Sequence, residues 1–203
     1  MKFYKFCVLL TVCVLFAAVS KAQVFRADFM AGGTSPLGDD FEKRAKFGVG
    51  YSVDFTYAPG LLDNQLSFGI AKDGNVILSA NASVNGKKAE IKASLFGLSG
   101  VKTRFDLKTT SAATPYAALT FGVGRLKCGF ARAKYDGFDE NGVDADIEVN
   151  YENAYGFAVK PEIGVSFGWF QMSLGWILPR KYGDHKVTAG AFMYNLGFRL
   201  KFD

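Results

Sequence analysis

Beyond residue 23 the chain alternates apolar and polar positions with period two almost throughout, the signature of strands with one apolar and one polar face. In the first such segment Phe25, Ala27, Phe29 and Ala31 share a face, and Arg26 and Asp28 take the other. In the second, Phe47, Val49, Tyr51, Val53, Phe55 and Tyr57 stand opposite Gly48, Gly50, Ser52, Asp54 and Thr56. Asn85-Gly86 then supplies the dipeptide favoured in a two-residue type I′ hairpin turn. Pairing Val84 with Lys87 sets Leu78 against Ala93, Val76 against Leu95, Gly74 against Gly97, Ile70 against Val101 and Leu66 against Phe105. A one-residue slip would turn one arm's apolar set to the wrong face. Residues 64–110 therefore read as one long hairpin. Cutting it at Lys72-Asp73-Gly74 and at Gly97–Gly100 is the alternative.

The remainder repeats the design. The fifth strand, Tyr116 to about Ala131, carries Ala117, Leu119, Phe121 and Val123 on one face. A bulge near Gly124-Arg125 is expected to bring Leu126, Cys128 and Phe130 to the same side. Residues 143–167 alternate without a break, Phe170, Met172, Leu174, Trp176 and Leu178 mark a seventh strand, and Phe192 to Phe202 an eighth. Longer polar connections at 34–46, 132–142 and 179–188 alternate with short ones at 58–63, 111–115 and 167–169. Short turns on one side and long loops on the other are the pattern of an outer-membrane barrel. The expected fold is all-β, a closed antiparallel up-and-down transmembrane barrel of eight strands, or ten if the hairpin is cut, with both termini periplasmic.

Alternation alone fits equally a soluble barrel with an apolar cavity. The apolar face is too bulky for that, because it carries most of the 17 phenylalanines that lie beyond residue 22. An eight-stranded interior is only just wide enough for side chains. Glycine accumulates instead on the polar face, at Gly48, Gly50, Gly156, Gly164, Gly175 and Gly197, where it makes room beside long charged groups. The polar face is expected inside and the apolar face outside.

The first residues assign a compartment. Lys2 and Lys5 precede an apolar run from Phe6 to Val19, and small residues follow around Ala22. That reads as a cleaved secretory signal over 1–22, leaving 23–203 as a single barrel domain. Its removal takes Lys2, Lys5 and Lys21, leaving 21 Lys and Arg against 19 Asp and Glu. The basic pI then gives no reason to expect a nucleic-acid partner. Cys128 alone remains, so no intrachain disulfide is expected.

Three segments carry a resemblance: Pro115-Tyr-Ala-Ala-Leu-Thr-Phe-Gly-Val-Gly124, Phe167-Gly168-Trp169-Phe170, and Leu196-Gly197-Phe198-Arg199-Leu200-Lys201-Phe202. Over the whole mature chain the sequence resembles the small outer-membrane β-barrel families, the OmpX-like and OmpA-barrel-like proteins. It departs from them in ending on Asp203 rather than on an aromatic residue. The resemblance implies a monomer set in outer-membrane lipid, with the C-terminal strand read by the barrel-assembly machinery.

The polar face would place Arg26, Asp28, Asp54, Lys102, Arg104, Asp106, Lys108, Lys160, Glu162, Arg199 and Lys201 in the lumen. Charges removed from water need partners, so a plug of ion pairs is expected. The alternative is a small porin-like channel, with an anion bias from the excess of bases. His185 beside Asp184 raises a third reading, an outer-membrane acyl-transfer enzyme, but nothing fixes a nucleophile near it. No catalytic set, metal-ligand set or cofactor loop is expected. The long hairpin is the strongest functional candidate. A membrane strand needs about 9–11 residues, so segment 73–98, with Val84, Asn85, Gly86 and Lys87 at its tip, should project. A projecting edge can bind an extracellular protein by strand addition, which makes a structural, adhesive or partner-binding role the first expectation.

Overall fold

The computed structural model of the 203-residue chain describes residues 24–38, 46–82, 89–139, 142–149, 153–183 and 187–202. The expected signal over 1–22, the hairpin tip Val84–Lys87 and His185 lie outside the described residues. Among the described residues there are nine strand segments: β1 (Val24–Leu37), β2 (Phe47–Ala58), β3 (Leu66–Ala82), β4 (Ala89–Asp106), β5 (Ala113–Asp139), β6 (Gly142–Val149), β7 (Ala154–Phe167), β8 (Phe170–Tyr182) and β9 (Val187–Phe202). Every pairing is antiparallel, the first strand pairs with the last, and β4 pairs with β5 to close the sheet on itself. The segments β6 and β7 both pair with β5 in one common register, Ala131↔Val149 above and Leu126↔Ala154 below. They form a single stave, so the barrel has eight.

The hairpin of β3 and β4 is unbroken. Its ladder runs from Leu66↔Phe105 to Ala82↔Ala89 through Gly74↔Gly97, which rules out the cut that would give ten strands. The apolar positions face outward: Phe25, Phe29, Phe55, Ile70, Phe121, Phe157, Leu196 and Phe198 are all well exposed. A closed barrel that turns aromatic and branched side chains outward satisfies its backbone internally and matches its surface to hydrocarbon. This is a transmembrane β-barrel. Near the short turns, Trp169 stacks on Phe198 at 5.0 Å and Phe25 lies 4.9 Å from Tyr57, a girdle where the wall meets the interface. The tightest turn, Phe167 to Phe170, is made by Gly168 at φ +60°. Strands β1 and β9 approach so closely that a Cβ on Gly32 would lie 1.9 Å from the Tyr194 carbonyl oxygen.

Two expectations are corrected. The bulge does not lie at Gly124-Arg125: Arg125 points out and Leu126 in, and the register of β4 with β5 shifts higher, between Ala93↔Ala131 and Leu95↔Lys127. Two of the expected long loops are largely strand. β5 runs to Asp139 and β6 starts at Gly142, while β8 runs to Tyr182 and β9 starts at Val187. The part of the chain beyond the barrel wall is therefore more than one hairpin. Ladders join β3 to β4 up to Ala82↔Ala89, β4 to β5 up to Ala89↔Tyr135, and β5 to β6 up to Asp139↔Gly142. These make a four-stranded antiparallel sheet.

Candidate functional site

Period-two alternation sends one residue in two into the lumen, and the lumen is filled in two layers. The lower layer, toward the short turns, is charged. Asp28 on β1 accepts two hydrogen bonds from Arg199 on β9, both 2.9 Å, and one from Arg104 on β4 at 3.2 Å. Arg104 also donates to Asp106 at 2.9 Å, Gln171 at 3.2 Å and Ser166 at 3.0 Å, and its guanidinium lies 3.3 Å from the centre of the Tyr116 ring. Arg26 pairs with Asp106 and donates to the Asn64 carbonyl at 2.8 Å. A second group surrounds Glu162: Lys102 bridges it to Asp54, with its Glu162 contact at 3.1 Å. Lys160 bridges Glu162 at 3.1 Å to Asp73 at 2.7 Å, and the Tyr116 hydroxyl donates to Glu162 at 3.1 Å.

These contacts draw on all eight staves, with Asp54 from β2, Asp73 from β3, Tyr116 from β5, Glu162 from β7 and Gln171 from β8. Asp28 and Asp54 stand directly opposite in the β1–β2 ladder, a like-charge pair that would be destabilising alone. Separate cations neutralise each. A buried ion pair roughly breaks even against an apolar filling, but removing one member leaves an uncompensated charge. The network therefore specifies partners more than it adds stability.

The upper layer, toward the long connections, is mainly apolar, with one buried polar pair, Thr34 donating to Asn75 at 2.6 Å, set against Phe96 and Met193. Ile77, Phe96, Leu98, Leu126, Ile177, Tyr182 and Met193 pack together with Ala158, Ala189 and Ala191, all at 1 % exposure or less. Phe96 meets Tyr182 edge-on at 5.6 Å. An interior polar along its whole length was the expectation, and it holds only for the lower layer.

Of the eleven charged residues expected in the lumen, nine are buried there. Lys201 shares their face but is exposed at the rim, beyond the point where the wall can shield it. Lys108 lies past the end of β4 and pairs with Asp63 in the turn at 2.6 Å, both exposed. Asp73 joins them unpredicted, although the alternation of β3, with its neighbours Lys72 and Gly74 facing out, places it on the polar face. Tyr116 is the aromatic residue of the charged layer and is buried by its contacts with Arg104 and Glu162. The linked network thus holds five bases (Arg26, Lys102, Arg104, Lys160, Arg199) and five acids (Asp28, Asp54, Asp73, Asp106, Glu162), and Lys127 on β5 is a further buried base. The expected excess of three bases in the lumen shrinks to one among the buried charges of the described residues. Outside the membrane, the Lys108 ammonium holds the Asp63 carboxyl below the usual carboxylate value of 3.8.

Comparison with known proteins bears on the architecture. No family model matches the sequence, and no curated protein does. Among solved structures, Neisserial surface protein A is similar, with a TM-score of 0.51 over 90% of this chain and 100% of that one, at 12% identity. This chain has the fold of that barrel. Ail, the attachment invasion locus protein of Yersinia pestis, aligns over 88% of this chain and 97% of its own, with a TM-score of 0.39 and 12% identity. That Ail structure is a complex with the heparin analogue sucrose octasulfate.

Proposed function

We propose that the protein is an integral barrel of a bacterial outer membrane that does not conduct and that holds a partner-binding sheet above the surface. The observation that carries the first half is the filled lumen: a network of five paired bases and five acids from every stave, capped by a mainly apolar layer. Ion flow needs a continuous polar path, and an eight-stranded interior has little space beside its own side chains. The apolar outer face supports residence in lipid. The aromatic and leucine alternation of β9, through Phe198, Leu200 and Phe202, supports recognition by an assembly machinery, with both termini periplasmic and the barrel monomeric.

The second half rests on the projecting sheet. Among the described residues its two outer edges are the top of β3, where pairing with β2 stops at Phe47↔Leu78, and β6, which pairs only with β5. Unpaired strand edges invite another strand, and main-chain hydrogen bonds then supply affinity. An extracellular protein segment in extended conformation is the partner that such edges fit.

Planar-bilayer recording tests the first half: a silent membrane is expected, and stepwise conductance of the purified protein would overturn it. Cells carrying a barrel trimmed of residues 79–92 and 131–149 test the second. Loss of attachment with the folded band retained on a heat-modifiability gel is expected. Unchanged attachment would rule the sheet out.

A further inference from the structure

Among the described residues, the outer face of the barrel breaks its apolar rule at Lys72, Ser99 and Arg125. Lys72 on β3 points outward, between Ile70 below and Leu78 above, both exposed apolar residues of the same strand. Its neighbours in register are Val53 on β2 and Ser99 on β4. Lys72 has no hydrogen bond or ion pair with any described residue. A lysine facing hydrocarbon is costly at mid-depth, and the cost falls toward zero near the interface. A four-carbon stem can carry the ammonium part of that distance if the wall above leaves it room.

The wall does leave room. The next outward position on β3 is Gly74, which pairs with Gly97 on β4, which in turn pairs with Arg125 on β5. Two adjacent positions without side chains thus separate two outward cations. The result is a groove of about 520 Å³, lined among others by Tyr51, Lys72, Ser99 and Arg125. The Tyr51 ring lies over Gly74, so close that a Cβ there would be 2.6 Å from it, and the phenol forms one wall. Arg125 spends its Nε on Asn153 at 2.9 Å. Val49, Val76 and Leu95 supply an apolar floor beside these polar groups.

We propose that this groove binds a phosphate-bearing membrane lipid, with the headgroup between Lys72 and Arg125 and an acyl chain along the apolar floor. The inference rests on the outer face being lipid-exposed. Charge complementarity selects the headgroup: two cations and a phenol line the groove, and no described acidic side chain is exposed in it. Asp73 lines it from the strand but turns its carboxylate inward to Lys160. The apolar floor selects a lipid over a free anion. A neutral or zwitterionic headgroup would leave the positive charges uncompensated.

The test uses the full mature protein in zwitterionic micelles, exposed to phosphatidylglycerol, phosphatidylcholine or inorganic phosphate and read by native mass spectrometry. Each basic group near an anionic lipid contributes enough that the pair should favour phosphatidylglycerol by about tenfold or more over phosphatidylcholine. In K72Q/R125Q that preference should fall to about twofold or less, and K72R should keep it. Ser99→Trp, which fills the groove without removing charge, should lose both lipids. A heat-modifiability gel on each variant separates the two levels of the argument. K72Q/R125Q that folds but keeps the wild-type lipid preference overturns the site. Failure of the wild-type protein to run as a folded barrel would instead fault the membrane reading. Equal retention of the two lipids overturns the site, as does displacement of phosphatidylglycerol by millimolar inorganic phosphate. Selective loss in K72Q/R125Q with rescue in K72R supports it.

Discussion

Asp28→Asn removes one negative charge from the centre of the lumen and keeps the shape of the side chain. Its carboxylate holds both Arg199 and Arg104. After the change Arg199 keeps only Asp106, at 3.6 Å, while Arg104 keeps Asp106 at 2.8 Å. Breaking a buried pair by removing one partner costs about 3–5 kcal/mol, because the remaining charge cannot be rehydrated. With Asp106 as partial compensation, the low end, about 3 kcal/mol, is expected. For a chain of this size that lowers the midpoint of the folded-to-unfolded band shift by about 6–12 °C. Adding Arg199→Met should recover about 2 kcal/mol of the loss, since the orphaned cation goes with its partner. The assay is a temperature series on a heat-modifiability gel, backed by urea unfolding in micelles. A loss below about 0.5 kcal/mol, or a cycle that is simply additive, would mean that water screens these charges and the lumen is open.

Other consequences can be checked separately. Phe96→Ala removes the edge-on partner of Tyr182 and should cost about 3–5 kcal/mol in urea unfolding. Its bilayer trace should stay silent, because the ion-pair layer below is intact. Gly32→Ala should give no folded band, since the new Cβ collides with the Tyr194 backbone across the β1–β9 seam. Lys108→Met should return the Asp63 carboxyl upward toward 3.8 in an NMR titration. The sign follows from the depressed value: what the pair contributes is present above 3.8 and is lost as pH falls through the folded value. Because both side chains are exposed, no change in the unfolding midpoint at neutral pH should accompany that substitution.

The barrel was legible because two constraints agreed along most strands, and the β3–β4 hairpin is the clearest instance. Its turn dipeptide fixed a register that its apolar positions then kept through every rung. The charged layer was legible for the same reason, since Arg26, Asp28, Asp54, Lys102 and Glu162 each alternate with outward apolar neighbours. The bulge was misplaced because polarity served as the guide to phase. Arg125 faces out and Leu126 faces in, so inferring the direction from polarity inverts both. The inner apolar layer was invisible for a related reason. Around Leu95-Phe96-Gly97-Leu98 both faces are apolar, and alternation carries no information where its two phases match. The strand extensions read as loops because β5 beyond the wall leaves the lipid that enforces an apolar face.

The contact between Asp28 and Arg199 joins residues 171 positions apart, on the first and last strands of the barrel. Until β9 is in place, Asp28 faces a hydrocarbon-bounded interior without its bidentate partner, and Arg104 must share what remains. An incomplete barrel is therefore penalised in proportion to what it lacks, and the penalty is lifted only when the seam shuts. The lumen acts as an inspection step for its own assembly. It reads whether every stave has arrived, and it does so with side chains buried away from both lipid and solvent.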